Sequence, residues 1–125
     1  MALPAPLAPR GVRFPDTRAK RFDDLVAGLA DRLERRWGTQ WGAVEFGVEE
    51  TPLLPSDWSD DDVPLATLVP AAAGRPARIV VFRRPVERRV EGRAETSALV
   101  LALLVERVAE LLGRAPQEID PRYEG

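Results

Sequence analysis

Phe22, Leu25, Val26, Leu29, Leu33 and Trp37 recur at intervals of three and four residues. Asp23, Asp24, Asp31, Arg32, Arg35 and Arg36 fill much of the space between them. This pattern predicts an amphipathic helix from about Thr17 to about Trp37. Asp16 or Thr17 is placed to cap it, and Gly38 to stop it. The period then changes to two. Val44, Phe46 and Val48 alternate with Glu45, Gly47 and Glu49, as in a half-buried strand. A second strand is predicted over Arg78-Ile-Val-Val-Phe-Arg83, whose unbroken apolar middle implies cover on both faces. Between the two lies a long Pro-rich connection, Thr51 to Pro76, in which PLATLVP predicts a short turn of helix or strand.

Helical spacing returns after Pro85, which can open a short helix, VERRVE, closed by Gly92. The last long helix is predicted from Glu95 or Thr96 to Leu112. Its first half, ALVLALLV, is apolar all round and should be the central buried helix. Its second half, LVERVAELLG, becomes amphipathic and stops at Gly113. Val100, Leu103, Leu104 and Val108 are expected to be buried, with Arg107 and Arg114 exposed. PQEIDPRY reads as one more short turn. The Pro/Ala/Arg segment 1–15 cannot hold a regular ladder and is expected to be disordered or lightly docked. Residues 16–125 read as one domain, without an internal repeat.

The chain has 125 residues and a formal net charge of -2. That balance argues against a bulk electrostatic attraction to nucleic acid or to a membrane surface. The longest apolar run, Ala98 to Val105, falls far short of the roughly 20 helical residues that span a bilayer. Residues 1–15 lack the continuous apolar core of a secretory signal. A soluble, cytoplasmic protein is expected.

The chain contains no Cys and no His. It therefore has no disulfide, no thiolate nucleophile and no imidazole base or ligand. A metal site would have to be all oxygen, which favours Mg, Ca or Mn over Zn. The acidic run SDWSDDDVP, Ser56 to Pro64, lacks the spacing of an EF-hand loop. It reads as a solvated loop that offers Trp58 for partner contact. RRPVERRVEGR, Arg83 to Arg93, lacks the interleaved aromatics of an RNA-binding surface, and Glu87 and Glu91 can pair with neighbouring arginines. Lys20, the lone lysine, begins an exposed helix. Tyr123 lies near the frayed end of the chain.

Several local strings resemble the small single-domain bacterial zincin-like metallopeptidase family: RFDDLVAGLADRL, VEFGVEE, RIVVFRRPVE and VERVAELLG. The resemblance covers about residues 20–120. It implies an α+β, minimal zincin-like fold with an N-terminal helix, a small mixed sheet and a buried C-terminal helix. The family motif is His-Glu-x-x-His-x-x-Gly-x-x-Asp. In it two His four residues apart hold a zinc, and the intervening Glu activates water. With the glycine at Gly113, the first His falls on Glu106 and the Glu on Arg107. The second His falls on Glu110 and the Asp on Pro116. Only the glycine matches.

The expectation is therefore a catalytically inactive, metallopeptidase-like binding or scaffold module, with no catalytic residue, metal or cofactor. Its partner would be a protein or an extended peptide added to a sheet edge. The rival is a hydrolase with a carboxylate-bound metal at Glu106 and Glu110, which share one helical face. Arg107 beside them opposes a cation. Glu110 is placed to pair with Arg114 four residues on.

Overall fold

A computed structural model describes residues 17–58 and 63–124. The segment 1–15 and the candidate cap Asp16 lie outside the described residues. Thr17 does cap the first helix, accepting from the Lys20 amide at 3.0 Å. This helix, α1, runs Arg18–Trp41 and buries Phe22, Val26, Leu29 and Leu33. It passes through Gly38 and stops at Gly42. The extra turn buries Trp41 against Phe46, their ring centroids 5.6 Å apart. That packing outweighs the weak helix propensity of one glycine. Gly42 can end the helix because its φ is 67°, a conformation that costs glycine no Cβ clash.

Three strands follow: β1 (Val44–Glu49), β2 (Ala66–Val69) and β3 (Ala77–Phe82). They form one mixed sheet in the order β1-β3-β2. β3 is central, parallel to β1 and antiparallel to β2. Parallel neighbours need a long crossover. The Pro-rich connection supplies it, and β2 is the strand formed within it. Val44, Phe46 and Val48 share the helix-facing side with Ile79 and Val81. On the opposite side of β3, Val80 and Phe82 are also buried. The central strand is thus covered on both faces.

The short helix α2 (Arg83–Arg89) starts directly after β3, before Pro85. Its first residue explains why. Arg83 is nearly buried and is held by Glu50, with Nε to Oε2 at 2.7 Å and a second, shorter contact, and by Glu87 at 2.9 Å. The Arg84 amide donates to the Glu50 carbonyl at 3.0 Å. These bonds tie the end of β1 to the start of α2.

The hydrogen bonds from Arg83 hold the Glu50 carboxyl below its ordinary value of 4.5, against a smaller opposing effect of desolvation. A depressed folded-state value contributes stability above the unfolded value and loses it as pH falls through the folded one. Glu50→Gln should therefore destabilise the protein at neutral pH, with a deficit that shrinks as the pH drops below 4.5. Urea unfolding of both proteins across that range checks this. A deficit independent of pH would mean that the ion pair is not its source.

The helix α3 (Gly92–Leu112) begins earlier than the Glu95 or Thr96 start. Glu95 is not its cap. Its side chain instead accepts from the Glu91 amide at 3.1 Å, one turn before it. Val100, Leu103, Leu104, Val105 and Val108 are buried. The closing helix α4 (Pro116–Ile119) packs on α3 and buries Ile119 completely. Trp37 donates from Nε1 to the Ile119 carbonyl at 3.1 Å, joining α1 to the C-terminal turn. Among the described residues, no helix is long and apolar enough to cross a membrane.

Candidate functional site

The second half of α3 carries the motif positions. Gly113 caps it in the left-handed region, and the Gly113 and Arg114 amides return to the Glu110 and Ala109 carbonyls. This is a backbone cap of the kind that glycine permits. Because the chain turns there, Arg114 leaves the helix. The expected Glu110–Arg114 pair does not form. Arg114 lies 3.8 Å from Glu118 and 3.4 Å from Gln40, with its guanidinium over the Trp37 ring.

Glu110 pairs with Arg107 instead, Nε to Oε1 at 3.5 Å. Arg107 also reaches Glu106 at 3.8 Å. The guanidinium thus lies between the two carboxylates. Arg107 is half-buried rather than exposed, at 29%. Its Nε is buried without a hydrogen-bond acceptor among the described residues. Long basic side chains commonly bury their aliphatic part.

Tyr123 joins this group, contrary to its placement at a frayed end. Buried Ile119 anchors the turn before it, and the Tyr123 amide donates to the Asp120 carbonyl at 2.9 Å. The phenol then donates to Glu106 Oε2. That bond, aided by desolvation and by the negative charge of Glu106, raises the Tyr123 pKa above its ordinary 10.0, while Arg107 works in the opposite direction. In the sequence, only the apolar Ile119 three residues after Pro116 hints that this segment docks. Asp120 is the buried acid of the turn, accepting from the Arg122 amide at 3.0 Å.

Pro116 opens α4 and offers no side-chain donor. Among the described residues, no group of three or more His, Cys, Asp or Glu side chains could hold a metal ion. The donor chemistry at the motif positions does not fit zinc. Arg107 has no lone pair to give, and both flanking carboxylates face its guanidinium.

A small mixed sheet carrying a buried, glycine-capped helix defines an α+β protein with the framework of a zincin and altered residues at the motif positions. The chain belongs to the zincin-like metallopeptidase family, whose model matches residues 43–125. α1 lies outside the matched span, so the resemblance of RFDDLVAGLADRL has no counterpart in it. No curated protein sequence matches the chain.

Proposed function

We propose that this protein is a catalytically inactive member of its family that acts as a binding or scaffold module for a protein or extended peptide in the cytoplasm. The observation that carries this reading is Arg107. It stands at the position of the family's general base, between the carboxylates at the two ligand positions. A guanidinium neither accepts a proton from water at neutral pH nor binds a metal. The rival, a hydrolase with a metal at Glu106 and Glu110, would need both carboxylates turned to a cation, and Arg107 already occupies that place.

The reading of an extended ligand draws its support from the sheet edge. β2 is the edge strand that packs along α3, and Phe82 donates to the Leu65 carbonyl at 2.9 Å. In an antiparallel pair such bonds fall on alternate residues. The main-chain groups of Ala66 and Leu68 therefore point away from β3, to a side unpaired among the described residues. Pro64 and Pro70 share that phase and lack an amide hydrogen, which limits the edge to a short ligand and discourages longer pairing.

Purified without a histidine tag, the protein should contain no stoichiometric zinc, and titration with Mn or Ca should give no tight site. Metal analysis checks both. One firmly held metal per chain would overturn the inactive reading. Cross-linking with mass spectrometry should place partner segments along Ala66–Val69.

A further inference from the structure

Two adjoining clefts, of about 410 and 200 Å³, open where α1 and α3 meet the C-terminal turn. They share Arg32, Leu101, Asp120 and Arg122, and form one groove. Its floor is apolar. Ala98, Leu101, Ala102 and Val105 line it from one stripe of α3. Its rim is mostly basic, with Arg32, Arg36 and Arg122 set against Glu124. Asp120 is buried below the rim and lies 3.6 Å from Arg122 Nε. Arg32 and Arg36 are exposed, and neither has an ion-pair partner among the described residues. Among the described residues, Arg36 lies over the Trp37 ring.

The same chain carries the complementary surface. The connection after β1 leaves Leu53 fully exposed and Trp58 45% exposed. Trp37 and Trp41, the other two tryptophans, pack on the core. Asp57 precedes Trp58, and Asp60, Asp61 and Asp62 follow in sequence. No basic residue lies between Thr51 and Leu65. An exposed indole within an acidic run matches an apolar floor with an arginine rim, because the ring is covered while the carboxylates meet guanidinium groups that have no ion-pair partner among the described residues.

We propose that this groove binds the Ser56–Pro64 segment of a second copy of the chain, with Trp58 on the Leu101–Ala102 floor and the aspartates against Arg32 and Arg36. The contact joins two different patches, so every copy presents both halves. It uses neither Arg107 nor the β2 edge, and stands apart from the function proposed above.

Sedimentation equilibrium over a concentration series tests this. The unmodified protein should self-associate, and added salt should weaken the association, because exposed charges are screened. Trp58→Ala and Arg32→Glu should each weaken it at least about tenfold. Both residues are exposed, and circular dichroism verifies folding. The deciding measurement is the mixture. Trp58→Ala keeps an intact groove and Arg32→Glu keeps an intact segment, so together they should recover association through one sound contact. A protein that stays monomeric throughout overturns the proposal. So does association that neither substitution weakens, or a mixture no stronger than its components.

Discussion

The combined variant Glu106→His, Arg107→Glu, Glu110→His and Pro116→Asp should bind zinc, while the unmodified protein should not. The two imidazoles would stand four residues apart on one face of α3. Arg107→Glu removes the positive charge that now sits between the ligand positions. Asp at position 116 would fall in the first turn of α4, where a carboxylate is favoured, on the element that packs against α3. The Tyr123 hydroxyl, now bonded to Glu106, would stand beside the first of the two imidazoles and could orient it. Zinc titration with the unmodified protein as control should give a stoichiometry near one. Proteolysis is not expected to follow at once, since a loosely supported set of ligands commonly defeats catalysis. A folded variant that binds zinc no better than the control would mean that Gly113 is only a helix stop and that the motif is placed on the wrong residues.

Replacing Leu104 with Ala should cost about 2–5 kcal/mol of folding stability. Leu104 is fully buried in the cluster that joins α1, the sheet and α3. Deleting its branched end loses transfer energy and leaves a cavity that its neighbours fill only in part. Leu53→Ala provides the contrast. Leu53 is fully exposed, so its replacement should change stability by less than about 0.5 kcal/mol. Denaturant unfolding of both variants decides the matter. A loss below about 1 kcal/mol for Leu104→Ala would place that residue outside the core.

Much of this architecture is legible in local periodicity. The stripe from Phe22 to Leu33 is buried where its spacing requires. In β1, Val44, Phe46 and Val48 pack on the core while Glu45 and Glu49 are exposed. The all-round apolar start of α3 becomes the central helix, and Gly113 ends it. The helix and strand ends depart from that periodicity. Gly38 looked like a stop because helix propensity is a local quantity, whereas Trp41 extends α1 by packing on Phe46, a residue of another element. Arg83 looked like the end of a strand, yet Glu50 and Glu87 draw it into the start of α2.

At the motif positions, the residue types are a matter of sequence alone. A chain without His or Cys cannot supply a zincin's imidazole ligands in any fold. Their arrangement is a different matter. Helical spacing puts Glu106 and Glu110 on one face, but it does not determine which partner each carboxylate takes. The turn at Gly113 removes Arg114 from the helix and leaves Glu110 to Arg107. The burial of Ile119 brings Tyr123 back onto Glu106. These pairings join residues whose proximity depends on how separate elements pack. No periodic signal records that packing, because it is decided by the shape of the whole core. The sequence by itself thus determined the long helices, the strands β1 and β3, most of the faces they bury and which ligand chemistry is absent, but left the segment that forms β2 open between helix and strand. Only the tertiary structure decided that a guanidinium lies between the two carboxylates and that the C-terminal turn closes against them.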